Sequence, residues 1–422
     1  MAAMEFHPEL TALGQKAKQA ARTLMHAGTQ QKNDALLRLS TALKEQEEAI
    51  LAANALDVAR AEASGLKKSF INRLRLTPAL LEEICESVRD VVKLPDPVGE
   101  GTFWTRPNGL RIQKTRVPLG VVAMIYEARP NVTVDAAVLC LKSGNACILR
   151  GSREAAESNA VLVRVIARAV AESGLPSDSV QLMTLTDRSY VQQLVRMNAY
   201  IDVIIPRGGA GLIQNVVANA TVPVIETGTG VCHAFVHRDA DPAKALTVVY
   251  NAKTQKPAVC NALETLLVER SVAASFLPQI GGMLKAGGVE IRGCPETRTI
   301  LPEAREAREE DWRTEHNDLI LNIRVVAGLD EALDHIYTYS TKHSEVILTE
   351  DYSAAQRFLT EVDAAAVYVN ASTRFTDGGR FGFGAEIGIS TQKLHARGPM
   401  ALPELTTVKY MVYGSGQIVG SS

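Results

Sequence analysis

The sequence predicts an α/β protein with two doubly wound, Rossmann-like domains and a small β-hairpin and tail element. Short apolar runs alternate with helical stretches from residue 120, and the same alternation restarts after about residue 245. The chain length also predicts more than one domain, because 422 residues are more than usually fold around a single hydrophobic core. The predicted domains are a first at 1–102 and 119–245, a second at 246–390, and a β element at 103–118 and 400–416.

The first domain is predicted to begin with helices. Leu36, Leu39 and Leu43 recur at helical spacing, and Thr77-Pro78 has the order of an N-cap and a first helical residue. After residue 120, the short apolar runs are typical of buried parallel strands. The predicted elements are strands at 121–126, 146–149, 180–183 and 203–205, and helices at 135–141, 155–172 and 188–197.

The second domain repeats this alternation, with a strand at 264–268, a helix at 273–285 and a late strand at 365–370. Residues 294–311 are rich in charge and poor in apolar side chains, which predicts a surface excursion. The turn signal Arg106-Pro-Asn-Gly predicts a hairpin outside the main sheet. Because residues 405–413 alternate like a strand, we expect this tail to pair with the hairpin.

Composition excludes several classes of protein. Hydrophobic residues make up 46% and charged residues 22%, and 45 basic against 47 acidic side chains leave a net charge of -2. The sequence has no cluster of Lys and Arg residues, so a nucleic-acid partner is not expected. No apolar run approaches the roughly 20 residues of a membrane span, and the first residues lack signal-peptide order, so we expect a cytoplasmic protein. Six scattered cysteines and eight unclustered histidines predict free thiols and no metal site.

Cys260 is the candidate nucleophile. It lies between a helical stretch and the strand at 264–268, and such junctions hold active-site side chains in α/β proteins. Near Lys253, Lys256 or a helix N-terminus, its thiol would have a lowered pKa and could attack a carbonyl carbon. Judged by residue type alone, a cysteine is more often a small buried hydrophobic residue than a nucleophile. The surrounding sequence pattern therefore decides between the two interpretations.

Two further motifs indicate a phosphate and a ribose site. Gly208 and Gly209 follow a predicted strand and open a helix, where phosphate oxygens can approach backbone N–H groups. Arg150, Ser152 and Arg153 follow the strand at 146–149, where the adenosine ribose of a dinucleotide commonly lies. A tight β-to-α turn and solvated arginines explain these motifs equally well when each is taken alone.

In this order, the motifs resemble the aldehyde dehydrogenase superfamily over nearly the whole chain. The resemblance implies a dinucleotide in the first domain, a catalytic cysteine in the second, and oligomerisation through the β element. Glu315 falls where that superfamily has a glutamate facing the nicotinamide ribose. The similar segments are Arg129-Pro-Asn131, Ser143-Gly-Asn145, Gly174-Leu-Pro, Pro206-Arg-Gly-Gly, Glu226-Thr-Gly and the cysteine loop at 257–262.

Longer strings, at 125–135, 205–211, 230–233, 367–379 and 390–399, resemble the superfamily members that act on an acyl phosphate. The resemblance implies reduction of L-glutamyl 5-phosphate by NADPH to L-glutamate 5-semialdehyde and phosphate, through a cysteine thioester. This is the second step of proline biosynthesis from glutamate. A homo-oligomer, dimer or tetramer, is also expected, and a transient contact with glutamate 5-kinase is a hypothesis.

The site residues take their expected roles from this reaction. Cys260 attacks, while its backbone N–H and the Asn131 amide stabilise the oxyanion. Glu226 stays outside the catalytic set, because a competent base there would hydrolyse the thioester. Substrate charges are assigned to Arg129, Lys256 and Arg374 for the phosphate and α-carboxylate, and to Glu127 and Asp377 for the α-ammonium group. NADPH is assigned to Arg150, Ser152, Arg153, Gly208, Gly209 and Glu315.

Arg153 is the predicted determinant of cofactor choice. NAD-preferring members carry a glutamate about three residues after a strand-terminal lysine, where it binds the ribose 2′-hydroxyl. Here Arg150 replaces the lysine and Arg153 the acid. A guanidinium pairs with the 2′-phosphate that a carboxylate would repel, so the sequence predicts a preference for NADPH.

Two alternatives stay open at this point. One is a hydrolytic aldehyde dehydrogenase, which phosphate dependence would distinguish. The other is a non-catalytic dinucleotide- or partner-binding protein on the same fold, against which Cys260 and the glycine turn argue. We expect the other five cysteines to be structural, and Cys232 in particular to be replaceable with most activity retained.

Overall fold

The computed structural model describes residues 6–419 and divides the chain into two compact units. The first contains residues up to Thr227, Gly382–Gly388, and residues from Met400 onward. The second contains Gly228–Phe381 and Ile389–Pro399. Each unit has a parallel sheet with helices, which confirms the predicted α/β fold class.

Helices form the beginning of the first unit. Leu36, Leu39 and Leu43 are fully buried, as their spacing predicts. The Thr77 hydroxyl accepts a hydrogen bond from the Leu80 backbone N–H at 3.1 Å, which confirms the predicted N-cap. These helices are α1 (Pro8–Leu24), α2 (Thr29–Glu45), α3 (Glu47–Ala63), α4 (Lys68–Leu74) and α5 (Pro78–Lys93).

A hairpin of β1 (Gly101–Thr105) and β2 (Arg111–Pro118) separates these helices from a parallel sheet. The elements of that region are β3 (Val121–Tyr126), α6 (Asn131–Lys142), β4 (Ala146–Arg150), α7 (Ala156–Glu172), β5 (Val180–Leu182), α8 (Arg188–Leu194), β6 (Val203–Arg207) and α9 (Ala210–Asn219). The strand order is β5-β4-β3-β6. Because β4 and β6 flank β3, the winding reverses there, and ligands bind at the carboxyl ends of such strands.

The second unit is built around a longer parallel sheet. Its elements are β7 (Cys232–Val236), α10 (Pro242–Thr254), β8 (Leu263–Glu269), α11 (Arg270–Ala286), β9 (Glu290–Gly293), α12 (Pro295–Ile300), β10 (Arg305–Glu306), β11 (Ile320–Val326), α13 (Leu329–Tyr339), β12 (Ser344–Leu348), α14 (Tyr352–Glu361) and β13 (Ala366–Val369). The strand order is β10-β9-β11-β8-β7-β12-β13. Leu266 and Leu267 enter separate apolar clusters, because successive strand residues face opposite sides.

Two predictions about this unit are corrected. The units part between Thr227 and Gly228, not at residues 245 and 246, because β7 pairs with β8 and β12 and so belongs to the second sheet. Residues 294–311 are not a surface excursion. They contain α12 and the edge strand β10, and their few apolar side chains, such as Leu301 and Ala304, are buried against the sheet.

The chain ends in further short strands. β14 (Gly388–Ser390) and β15 (Gly398–Met400) pair with each other. The final strand, β16 (Thr406–Tyr413), pairs antiparallel with β2, which confirms the predicted pairing of tail and hairpin. Across residues 6–419, the helices are too short or too polar to span a bilayer.

Candidate active site

The predicted site residues divide between the two units. The first unit holds Glu127, Arg129, Asn131, Arg150, Ser152, Arg153, Gly208 and Gly209. The second unit holds Lys256, Cys260, Glu315, Arg374 and Asp377. Of the residues assigned to the cofactor, Glu315 lies in the second unit together with Cys260, and the others lie in the first unit.

Cys260 is half-buried in the loop between α10 and β8. Neighbouring parallel strands begin at one edge of a sheet, so the start of β7 lies beside this loop. A Cβ atom on Gly230 would lie 1.4 Å from the Cys260 carbonyl oxygen, so this position requires glycine. The Cys232 thiol donates a hydrogen bond to the same oxygen at 3.2 Å. The loop is thus held closely at its backbone.

A second loop holds Arg374 beside the cysteine loop. The Asn261 amide donates to the Thr376 carbonyl oxygen, and the Thr373 hydroxyl donates to the Asn261 carbonyl oxygen, both at 2.7 Å. The buried Arg374 guanidinium donates to Gln255 Oε1 at 3.0 Å. Burial lowers the pKa of Arg374 from its ordinary value, yet arginine remains cationic in proteins. The structure therefore places a buried positive charge next to the Cys260 loop.

The other predicted residues of this unit have different surroundings. Lys256 is exposed, near the end of α10. Asp377 is half-buried and accepts the Arg380 backbone N–H at 3.1 Å. Glu315 accepts the Gly230 backbone N–H at 3.0 Å, which connects it to the cysteine loop. Glu315 thus belongs, by its contacts, with the nucleophile.

Lys253 does not have the role expected from the sequence. It is fully buried, and its ammonium group donates to Glu264 Oε2 at 2.9 Å. Burial raises the pKa of Glu264 to about 7 and lowers the pKa of Lys253, while their attraction opposes both shifts. Because this pair satisfies its charge, Lys253 is not an isolated cation that would activate the Cys260 thiol.

The first unit contains a cleft of about 500 Å³ at the carboxyl ends of its strands. This volume is typical of small-molecule sites. The Ser152 hydroxyl oxygen is buried without a hydrogen-bond partner among residues 6–419, as expected of a group that a ligand satisfies. Residues lining the cleft include Tyr126, Glu127, Arg150, Ser152, Glu154, Arg188 and Leu212. These groups fit the adenosine half of a dinucleotide.

Arg188 is a cleft residue that the sequence analysis missed. It is the first residue of α8 and lines the cleft together with Arg150, which donates to the Thr186 carbonyl oxygen at 3.3 Å. Burial lowers the pKa of Arg150, and the nearby Arg188 charge acts in the same direction. Only the strand order, which puts the end of β5 beside β4, could have indicated this residue.

The side chain of Arg153, by contrast, lies in solvent. Its side chain is 80% exposed and lies 3.7 Å from Glu154, and it does not line the cleft. The short helical turn that starts at Arg153 directs the side chain of Glu154, not Arg153, to the cleft. Arg153 thus makes no contact with the cleft, and its assignment to the 2′-phosphate stays a prediction.

The glycine turn opens α9 as predicted, with Gly209 at the N-cap, but its partner is unexpected. The Gly209 backbone N–H donates to Glu127 Oε2 at 3.1 Å. A Cβ atom on Gly208 would lie 2.7 Å from the Glu127 carboxyl carbon. Glu127 therefore lines the cleft and holds the turn, and its assignment to the α-ammonium group of a substrate stays a prediction.

Asn131 begins α6, two residues after the half-buried Arg129. Its amide donates to Asp135 Oδ2, one turn further along the helix, at 3.0 Å. Burial raises the pKa of Asp135 to about 6, against this hydrogen bond and the charge of Arg207. An amide nitrogen carries two donors, so this hydrogen bond uses one of the two.

We expect Asp135 to make the stability depend on pH. Its pKa of about 6 in the folded chain exceeds the roughly 3.9 of an unfolded aspartate. The folded state therefore binds more protons between these values, and stability falls as pH rises through that window. Asp135→Asn removes this titration. The free energy of unfolding of the variant, relative to that of the wild type, should therefore be higher at pH 7 than at pH 4.

Urea unfolding at both pH values measures this difference. Val134→Ala, at the buried residue next to Asp135 on α6, changes no titratable group and is the control, so its difference from the wild type should stay constant. An Asp135→Asn variant whose difference is equally constant would contradict the prediction.

The fold and site define an oxidoreductase of a known class. The sequence profile of the aldehyde dehydrogenase family matches residues 7–291, more than half of the chain. The chain belongs to the aldehyde dehydrogenase family.

Full-length relatives narrow the class. A gamma-glutamyl phosphate reductase of Desulfitobacterium hafniense is 66% identical over 416 residues, covering 99% of this chain and 100% of its own. One from Moorella thermoacetica is 59% identical, covering 97% of this chain and 98% of its own. The crystal structure of the Thermotoga maritima gamma-glutamyl phosphate reductase has a TM-score of 0.95 and 51% identity, covering 98% of this chain and 100% of its own. Within its family, this chain groups with the gamma-glutamyl phosphate reductases.

Proposed function

We propose that this chain reduces L-glutamyl 5-phosphate with NADPH to L-glutamate 5-semialdehyde and phosphate, the second step of proline biosynthesis from glutamate. The observation that carries the proposal is the Cys260 loop: its thiol is half-buried, and the loop packs against the segment that holds the buried cation of Arg374. The similarity over full length to gamma-glutamyl phosphate reductases supports the choice of substrate.

The chemistry assigned to Cys260 is nucleophilic substitution. Its thiolate attacks the acyl carbon, the bond from that carbon to the phosphate oxygen breaks, and phosphate leaves while a thioester forms. The backbone N–H of Cys260 and the second amide donor of Asn131 stabilise the oxyanion. Arg374 balances the negative charge of the substrate. When bound, NADPH would supply the hydride that reduces the thioester carbon; the bond from that carbon to the Cys260 sulfur then breaks, and Cys260 leaves as the thiolate.

The choice of NADPH over NADH is part of the proposal. Arg150 and Arg188 line one cleft with the hydroxyl of Ser152, which has no hydrogen-bond partner within the described part of the chain. Guanidinium and hydroxyl groups are suitable donors for a 2′-phosphate, and charge-assisted hydrogen bonds to phosphate are strong. Glu154 lines the same cleft, so the two arginines also offset a carboxylate.

We also propose that the chain forms a homo-oligomer through the sheet β1-β2-β16. Its side chains include large exposed groups, among them Phe103 at 72% and Tyr410 at 57% exposure. Clusters of exposed aromatic residues mark protein interfaces.

The test of the function is phosphate dependence. We expect the purified chain to oxidise NADPH when a kinase and ATP supply glutamyl phosphate from glutamate. In reverse, it should reduce NADP+ with glutamate 5-semialdehyde only when phosphate is present. Equal NADP+ reduction without phosphate would favour a hydrolytic aldehyde dehydrogenase, and no turnover in either direction would favour a non-catalytic protein.

A further inference from the structure

The thiol of Cys232 has no part in the proposed chemistry, yet it contacts the backbone of the nucleophile. Cys232 is the first residue of β7 and is fully buried. Its Sγ atom lies 3.2 Å from the carbonyl oxygen of Cys260. The S–H group is a weak donor, so this contact is a hydrogen bond from one cysteine to the peptide group of the other.

The surroundings of Cys232 keep it in the protonated form. Burial raises the pKa of its thiol well above the ordinary value, and the nearby carboxylate of Glu345 adds to this effect. Nδ1 of the buried His343 lies 3.9 Å from Sγ. A thiol that keeps its proton acts as a donor and is a poor nucleophile.

The segment that carries Cys232 is anchored by separate contacts. The Gly230 backbone N–H donates to Glu315 Oε1 at 3.0 Å, and the Val231 backbone N–H donates to the Thr341 hydroxyl at 2.9 Å. Gly230 also packs directly on the Cys260 carbonyl group. Residues 230–232 therefore form a fixed support for the nucleophile loop.

We propose that Cys232 is a positioning residue for Cys260: its S–H group holds the Cys260 carbonyl against Gly230 and so fixes the loop that presents the nucleophile. The proposal rests on the function proposed for Cys260. It reverses the expectation from sequence that Cys232 is replaceable. Attack on an acyl carbon requires the reacting atoms to be held about 3 to 3.5 Å apart, and small displacements of a nucleophile slow such steps strongly.

The test compares variants of Cys232 that differ in one donor. Cys232→Ala and Cys232→Val lack the donor, and valine fills the space if alanine fails to fold. Cys232→Ser keeps an O–H donor of similar size. We expect the donor-free variants to lose about tenfold in kcat with little change in KM for NADPH, and the serine variant to recover most of this loss. Cys85→Ala, at another fully buried cysteine, is the matched control and should keep its kcat.

A second measurement does not depend on the substrate. The rate at which iodoacetamide alkylates Cys260 reports how the loop presents the thiol, even if gamma-glutamyl phosphate proves not to be the substrate. This alkylation rate should differ from that of the wild type in the alanine and valine variants and should return toward the wild-type rate in the serine variant. Full kcat in the alanine or valine variant would overturn the proposal. Losses in all three variants that only follow their thermal stability would overturn it as well.

Discussion

Replacement of Cys260 by alanine should reduce turnover at least about a thousandfold, because no other group in the proposed mechanism can form the thioester. Cys260 is half-buried in a loop, so loss of its sulfur removes little packing and should leave the fold intact. NADPH binding should also persist, since the proposed cofactor cleft is lined by residues of the first unit.

Steady-state assays and intact-mass analysis measure this effect together. With glutamyl phosphate but no NADPH, the wild type should gain the mass of one glutamyl group, and the Cys260→Ala variant should gain none. Cys294→Ala is the matched control, because Cys294 is also half-buried in the second unit. It should retain most activity. Substantial turnover in the Cys260→Ala variant would contradict the covalent mechanism.

Reversal of the charge at Arg188 should remove the preference for NADPH. Its guanidinium lines the cleft beside Arg150 and Ser152, where a 2′-phosphate would receive charge-assisted hydrogen bonds. One such contact contributes about 1.5 to 3 kcal/mol, which corresponds to roughly a ten- to hundredfold preference. Arg188→Glu replaces that contact with repulsion, so the ratio of kcat/KM for NADPH to that for NADH should fall by at least this factor.

Arg153→Glu provides the matched control for this experiment. The two arginines belong to one unit, but the Arg153 side chain is 80% exposed and lies outside the cleft. We expect an unchanged cofactor ratio in this variant and a loss for Arg188→Glu, mainly through weaker NADPH binding. The opposite pattern would support the assignment of the 2′-phosphate to Arg153.

Much of the architecture follows from local patterns in the sequence. Strand β3 coincides with the predicted run at 121–126, and Thr77 caps α5 as its order with Pro78 indicates. These features depend on neighbouring residues only, through apolar runs, N-cap chemistry and the turn at the hairpin. The choice of Cys260 also came from sequence, since it stands in a loop that resembles a family motif.

Tertiary structure alone decided which side chains share a site. Arg153 and Arg188 are both arginines that follow strands, and only the pairing of β4 with β5 and the turn after β4 put Arg188 in the cleft and Arg153 in solvent. The contact of Cys232 with Cys260 joins residues 28 positions apart, because β7 and β8 are parallel neighbours that begin at one edge of the sheet. Such contacts arise from strand order and side-chain direction, which depend on packing between distant segments and leave no trace in local spacing.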